Sequence, residues 1–170
     1  GGTWVAGRTG GYAIRFNDDG SIDLGGSNTL KQLSQNPFTV SAWINPDLDA
    51  GVHMIVGNAP PGSSSNNPGW RLGIEGNRVF FTMFISDSTY EASLSNATLS
   101  PGNWYHVAGT WNGADAKVFI NGVNNATPLA GSQVGSGFVS GLNTVIGRTP
   151  SPSSTWGYKG ILEDVGIWAN

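Results

Sequence analysis

The fold of this chain is decided by one stretch, Asn103-Trp104-Tyr105-His106-Val107-Ala108-Gly109-Thr110-Trp111-Asn112-Gly113. Aromatic and β-branched residues dominate it, and such residues favour β-strands because they pack well on a pleated surface. The stretch stops at Asn-Gly, a dipeptide that tolerates positive φ at both central positions of a tight hairpin turn. It therefore predicts a strand followed by a hairpin, and it indicates fold more than chemistry.

The rest of the chain repeats this pattern of short strands separated by turn residues. Apolar residues recur with period two or in short runs, and further tight turns are predicted at Gly76-Asn77 and Asn121-Gly122. One short helical turn is expected at 28–33. Three polar loops, at 59–68, 127–141 and 149–155, have the length of loops that often carry function. The predicted strands are 12–16, 21–24, 38–45, 53–57, 70–74, 79–85, 89–94, 104–111, 117–120, 144–147 and 160–168.

Composition limits the class of protein. A chain of 170 residues suits one domain with a sizeable core, and we predict a single domain over residues 1–170. Abundant glycine (26 residues) between short apolar runs is typical of a β-sandwich or barrel. The net charge is −3 and the basic residues are scattered singly, which argues against nucleic-acid binding. No apolar run approaches the ~20 residues of a membrane-spanning helix, so membrane insertion is not expected.

Two further features concern the setting of the chain. It contains no cysteine, so disulfides and thiolate metal sites are ruled out. It begins with Gly1 rather than Met, and we therefore expect it to be a piece of a longer protein.

Six segments, in order along the chain, resemble the motifs of one fold family. They are AIRFNDDGSIDL at 13–24, FTVSAWINP at 38–46, WYHVAGTW at 104–111, VFING at 118–122, TVIGR at 144–148 and GILEDVGIW at 160–168. This series is similar to the motifs of laminin-G-like, concanavalin A-type jelly rolls, and it spans the chain from about Tyr12 to Trp168. The resemblance implies an all-β sandwich of two antiparallel sheets, with the first and last strands close together.

The acidic residues do not predict a catalytic site. Glycoside hydrolysis needs two carboxyl groups facing the scissile bond. Glu163 and Asp164 are adjacent and therefore point to opposite faces of a strand, while Glu75 and Glu91 are isolated. The two histidines lie in strand patterns without a serine-nucleophile motif. We therefore expect a protein that is not an enzyme.

A structural calcium site is one hypothesis for the turn Asn17-Asp18-Asp19-Gly20. Carboxylate, carboxamide and carbonyl oxygens are the ligands that Ca²⁺ prefers. The resemblance implies that such a turn can share calcium with the acidic pair of the last strand, Glu163 and Asp164. The alternative is an Asx-rich β-turn, which needs no ion.

Loop aromatics are the candidates for a sugar site. A sugar ring stacks its C–H face on an aromatic plane, and polar side chains bind its hydroxyl groups. Trp156 and Tyr158 follow a Pro/Ser loop at spacing i, i+2 and would share a side in extended backbone. Trp70 ends the other long loop. Polar partners are expected among His53, Arg71, Tyr90 and Arg148. The alternative is that these aromatics are packing residues.

Two functions are consistent with these observations. The first is a non-catalytic carbohydrate-binding module of a larger extracellular, cell-surface or virion-surface protein, with a polysaccharide or glycan as its partner. The second is a protein–protein adhesion or assembly domain, such as a virion decoration or attachment module. A sugar site predicts a groove lined by aromatic and polar residues, whereas an assembly domain predicts an apolar patch or an exposed sheet edge.

Overall fold

The computed structural model describes residues 1–60, 68–86, 89–129, 140–151 and 156–169, with no side chains described at 85, 86, 89–91 and 126–129. Two antiparallel sheets of seven strands each pack face to face, as predicted. Sheet A has the strand order β1-β2-β14-β4-β9-β10-β11, and sheet B has the order β12-β8-β7-β6-β5-β13-β3. Among the described residues, no helix is long and apolar enough to cross a membrane.

The strands are short and follow one another with few other elements between them. They are β1 (Thr3–Ala6), β2 (Tyr12–Asn17), β3 (Ile22–Asp23), β4 (Phe38–Pro46), β5 (Val52–Gly57), β6 (Gly69–Glu75), β7 (Arg78–Ser86), β8 (Thr89–Ser95), β9 (Tyr105–Trp111), β10 (Ala116–Ile120), β11 (Val123–Asn124), β12 (Ala126–Leu129), β13 (Val145–Ile146) and β14 (Lys159–Ala169). Where a helical turn is expected, the chain forms a one-turn helix at Asn28–Lys31 and a 3-10 turn at Leu33–Gln35.

Strand β9 is present, as its composition predicts, and lies inside sheet A between β4 and β10. Val107 and Trp111 are buried in the core between the sheets. Gly109 lies between them on the same face, opposite Phe81 of sheet B. A Cβ atom on Gly109 would come within 2.3 Å of the Phe81 ring, so this position requires the absence of a side chain.

The Asn112-Gly113 hairpin differs from its prediction. Trp111 pairs with Ala116, so the loop has four residues rather than two. Gly113 has a φ of 98°, whereas Asn112 is not in the left-handed region. The Asn112 side-chain oxygen instead accepts hydrogen bonds from the backbone N–H groups of Ala114 and Asp115, at 2.8 and 2.7 Å. Side-chain capping of the loop therefore replaces the tight turn.

Three strands were not predicted, and all three lie at sheet edges: β1, β11 and β12. Edge strands have one backbone edge without a partner and often lack the alternating pattern of a buried face. Strand β11 has only two residues, and β12 contains Pro128. Most residues of strand β1 are exposed to solvent.

Candidate functional site

A polar pocket opens beside the end of sheet B at which β5 begins and β6 ends. Its volume is about 320 Å³, and it is lined by residues 49–53, Asp18, Glu75, Trp156 and Lys159. Glu75 pairs with Val52 across β6 and β5, and residues 47–51 form the loop between β4 and β5. Three chain segments distant in sequence therefore meet at one aromatic side chain. We call this site the Trp156 pocket.

Gly157 makes this convergence possible. A Cβ atom at Gly157 would lie 1.8 Å from the carbonyl oxygen of Asp18, so only glycine lets the chain pass this close to the 17–20 turn. The backbone N–H of Asp18 donates to the carbonyl of Tyr158 at 3.0 Å. These contacts bring both Trp156 and Lys159 beside the Asp18 turn.

Trp156 rests on a buried cation. The guanidinium carbon of Arg71 lies 5.1 Å from the centre of the Trp156 ring and 4.3 Å from the centre of the Phe84 ring. Arg71 is only 6 % exposed, and its Nη1 donates to the carbonyl of Pro60 at 3.0 Å. Burial lowers the pKa of Arg71 to about 10, partly offset by the charge of Glu75. Because cation–π contact is favourable when desolvated, this stack fixes the half-buried Trp156 ring.

Asp49 is the centre of the charged network in the pocket. Its carboxylate accepts from the Lys159 ammonium at 2.7 Å and from the backbone N–H of Gly51 at 2.7 Å. The Nε2 atom of His53 lies 2.9 Å from Asp49 Oδ1, the oxygen that also accepts from Gly51. The hydrogen bond from Lys159, followed by that from Gly51, lowers the pKa of Asp49 to about 2. The pKa of Lys159 is raised, chiefly by the same hydrogen bond. Asp49 is therefore an ionised hydrogen-bond acceptor at neutral pH.

The prediction that Trp70 and Tyr158 stack against a sugar is wrong. Trp70 and Tyr158 are both 0 % exposed and belong to the core. Trp70 packs against Phe38 at a ring-centre distance of 5.4 Å, and Tyr158 meets Phe16 edge to face at 6.5 Å. Trp156 and Tyr158 do not share a side as predicted. Strand β14 begins only at Lys159, so the residues before it are not a regular strand.

The polar residues that were predicted to bind a sugar lie in different places. His53 lines the pocket but is buried, so it orients Asp49 more than it faces solvent. Arg71 acts beneath Trp156 rather than at the pocket surface. Arg148 lies elsewhere, in a shallow depression with Ser21, Asp23 and Thr149. The side chain of Tyr90 and residues 61–67, 130–139 and 152–155 of the three predicted loops lie outside the described residues.

The predicted calcium ligands do not come together. Asn17 lies opposite Lys159 in the β2–β14 pair, whereas Glu163 lies opposite Trp43 of β4, four residues further along β14. Four residues of strand span about 13 Å. Asp164 follows Glu163 at the β14 bulge, and the Glu163 carboxylate accepts from the backbone N–H of Arg8 at 2.7 Å. The strand register therefore separates the two halves of the predicted ligand set.

The turn itself already has a cation beside it. The Lys159 ammonium lies 3.6 Å from Asp18 Oδ2 as well as 2.7 Å from Asp49 Oδ2. Within the described part of the chain, no group of three or more His, Cys, Asp or Glu side chains is placed to hold a metal. A divalent cation at Asp18 and Asp49 would face the charge of Lys159, so these residues do not fit calcium.

Sequence reasoning missed Asp49, Glu75 and Lys159 as members of the site. Asp49 lies in the short segment Asp47-Leu48-Asp49, and paired acidic residues in a hairpin loop are a signal that was available. Lys159 carried none, because a single lysine at the start of a strand usually lies on a solvated face. Only the strand register brings its ammonium to the Asp18 turn.

The comparison with known families decides the classification. Residues 16–170 match a laminin-G-type family model described as the concanavalin A-like lectin/glucanases superfamily. This chain belongs to that family. The family match confirms the resemblance of the six segments.

Individual relatives are more distant. Human pappalysin-1 is 26 % identical over 151 residues, which cover 81 % of this chain and 9 % of that protein. The chain therefore spans less than a tenth of the length of this relative.

Solved structures show the same fold at low identity. Domain 4 of an extracellular arabinanase from Geobacillus stearothermophilus, solved with arabinotriose, has a TM-score of 0.71 and 20 % identity, over 99 % of this chain and 75 % of that one. A carbohydrate-binding module (CBM40) of a Ruminococcus gnavus sialidase, bound to α2,3-sialyllactose, has a TM-score of 0.74 and 15 % identity, over 93 % and 90 %. Fold alone does not fix a ligand.

Proposed function

We propose that this domain is a non-catalytic carbohydrate-binding module and that the Trp156 pocket is its binding site. One observation carries the proposal: a half-buried tryptophan, which lies against Arg71 while Arg71 itself packs on Phe84, stands in a pocket with three carboxylates and one ammonium. Saccharides need this combination, because each ring has an apolar C–H face and a rim of hydroxyl groups.

Each side chain has a defined role in this proposal. The Trp156 ring stacks against the apolar face of one sugar ring. The carboxylates of Asp49 and Glu75 accept hydrogen bonds from hydroxyl groups, and Lys159 donates to a hydroxyl or ring oxygen. His53 and Gly51 hold Asp49 in place through the hydrogen bonds described above.

The charge of the pocket favours a neutral glycan. Asp18, Asp49 and Glu75 carry three negative charges against the single positive charge of Lys159. Arg71 is shielded beneath the Trp156 ring. A ligand carboxylate would be repelled by the surplus of negative charge, whereas uncharged hydroxyl groups donate readily to ionised acceptors.

The same electrostatics exclude Asp49 as the proton donor of a glycosidase. A glycosidase needs one carboxyl group that holds a proton until it protonates the leaving group. The pKa of Asp49 is lowered to about 2 by its hydrogen bonds, so it carries no proton at neutral pH. We also propose that the module needs no calcium, because Lys159 occupies the cationic position beside Asp18 and Asp49.

The setting we propose is a larger extracellular, cell-surface or virion-surface protein. A module of this kind holds its parent on a glycan-bearing surface, and it matches only a small part of pappalysin-1. Similar folds occur in an extracellular arabinanase and in a sialidase. These likenesses support the proposal through the fold, and the pocket supports it through chemistry.

A glycan titration tests the proposal. Tryptophan fluorescence is followed while neutral and carboxylate-bearing oligosaccharides are added to the wild type, to Trp156→Ala and to Trp168→Ala. Trp168 is exposed on sheet A and serves as the matched control. We expect a saturable change with a neutral oligosaccharide that Trp156→Ala abolishes and Trp168→Ala retains. Absence of binding across a broad panel, or binding that survives Trp156→Ala, would contradict the proposal.

A further inference from the structure

A row of apolar side chains crosses the inner face of sheet A. At the edge of the sheet this row is no longer covered by sheet B. Cross-strand pairing places Trp4, Ile14, Leu162 and Ile44 side by side on β1, β2, β14 and β4. Ile44 is fully buried and Leu162 nearly so, whereas Trp4 is 72 % exposed. The row that forms the core in the middle of the sheet therefore ends at a tryptophan in solvent.

The cause is a difference in the extent of the two sheets. Sheet B ends on this side at β3, a strand of two residues, so little of it lies opposite β1. The gap is a groove of about 220 Å³, lined mainly by apolar residues that include Trp4, Tyr12, Ile14, Ile22 and Leu162. We call it the Trp4 groove.

Two aromatic residues form its outer wall. Trp4 and Tyr12 meet edge to face with ring centres 6.3 Å apart, and Tyr12 is 81 % exposed. Exposed aromatic pairs that border an apolar groove are typical anchors of protein interfaces. Both neighbouring strands, β1 and β3, also have one backbone edge without a partner strand among the described residues. Backbone donors and acceptors therefore lie beside the apolar surface, as an extended polypeptide requires.

The charges at the groove indicate the chemistry of the partner. Glu163 and Asp164 lie at its rim. Asp164 is exposed and has a φ of 51° at the β14 bulge, and its carboxylate makes no hydrogen bond or ion pair within the described residues. A second copy of the chain would place the same acidic rim on both sides of a twofold interface and adds no matching basic group there. A basic side chain on the partner complements this rim.

We propose that the Trp4 groove docks an extended polypeptide segment of a partner protein, with apolar side chains in the groove and a lysine or arginine at Asp164. The family match begins at residue 16, so both aromatic anchors lie outside the matched region. The interaction is therefore a property of this chain in addition to the glycan binding proposed above. It uses a different part of the molecule and does not depend on the Trp156 pocket.

Selection from a displayed library of random peptides of about ten residues, the length of a long strand, tests the proposal. We expect enrichment of peptides with alternating apolar residues and one basic residue. A synthetic consensus peptide is then titrated against four variants by fluorescence anisotropy. Trp4→Ser should weaken binding by about tenfold or more, as expected for an aromatic anchor, and Asp164→Asn by about two- to fivefold. Val123→Ser, at an exposed apolar residue on the far edge of sheet A, and Trp156→Ala should leave the affinity unchanged.

Three results would overturn the proposal. The first is a selection without any consensus. The second is a consensus peptide whose affinity is the same for the wild type and Trp4→Ser, provided that their melting temperatures agree. The third is a concentration-dependent dimer in sedimentation equilibrium that Trp4→Ser abolishes, because the occupant would then be a second copy of this chain.

Discussion

The Trp156 pocket and the Trp4 groove both present tryptophan to solvent, yet their surroundings differ in kind. Trp156 stands on a buried guanidinium and faces carboxylates and an ammonium. Trp4 continues an apolar row and faces Tyr12 and aliphatic side chains. The first environment suits a ligand that is apolar on one face and polar around its rim. The second suits apolar side chains and the backbone of a strand. The neighbours of a tryptophan, more than its exposure, therefore indicate the class of ligand.

Trp70 is a tryptophan in a third environment, the core. Its substitution has the largest predicted effect on the stability of the fold. It lies beside Arg71 on β6 but points into the core, where it is fully buried. Trp70→Ala should destabilise the fold by about 3–5 kcal/mol, because it leaves a large cavity. Denaturant unfolding measures this loss, and Trp156→Ala and Trp4→Ala should each cost much less. Equal losses for all three variants would remove the distinction between core and surface tryptophans.

Gly109 tests the core that supports both regions. A Cβ atom at this position would overlap the Phe81 ring across the sandwich. Gly109→Ala should therefore destabilise the fold by about 1–3 kcal/mol through overpacking. Gly113→Ala is a poor control because Gly113 has a φ of 98°, so Gly11→Ala, with open space around it, is preferable. A neutral Gly109→Ala variant would show that the two sheets are less closely packed here.

A smaller effect is expected from acid. The pKa of Asp49 falls from an ordinary value of 3.8 to about 2 on folding. Its ionised form therefore stabilises the fold above pH ~4, and this contribution is lost as the pH falls through ~2. Because Asp49 is 46 % exposed, we expect the loss to be below about 1 kcal/mol.

Stability measured at neutral pH and again near pH 2 checks this expectation in the wild type and in Asp49→Asn. The difference between the two proteins should shrink in acid, since only the wild type has a carboxylate to protonate. A difference that stays constant would show that Asp49 is not held by Lys159 and Gly51.

The smallest expected effect is that of metal removal. Lys159 provides the positive charge between Asp18 and Asp49, so EDTA should leave the melting temperature unchanged. In Lys159→Met the two carboxylates lose this partner, and added Ca²⁺ should then raise the melting temperature slightly. A large drop for the wild type in EDTA would contradict the assignment of the cationic position to Lys159.

The sequence predicted the sandwich well because its strands carry their own local signals. Each of the eleven predicted strands is present within one residue of its expected ends. Strand β4 shows why: Phe38, Val40, Ala42 and Ile44 alternate with less buried or more polar residues and are fully buried. The strand β1 was missed because the inner face of Thr3–Ala6 is not covered by the opposite sheet.

The candidate site was predicted only in part, because it is built from contacts between distant segments. Trp156 was identified from its position after a loop, and it does line the pocket. Tyr158 is also aromatic and lies two residues further along the chain. Its side chain is nevertheless buried, because the chain enters the core before β14 begins. The meeting of Lys159 with Asp49 depends on a separation of 110 residues, which no local pattern encodes.

The proposed function depends on the binding of a neutral saccharide by Trp156. Isothermal titration calorimetry with a neutral oligosaccharide identified in the fluorescence panel tests it most directly, using the wild type, Trp156→Ala and Trp168→Ala. We expect Trp156→Ala to lose about 2 kcal/mol or more of binding free energy, as expected for an aromatic anchor, at nearly unchanged stability. Trp168→Ala should bind like the wild type. Equal affinities for the wild type and Trp156→Ala would contradict the assignment of this pocket.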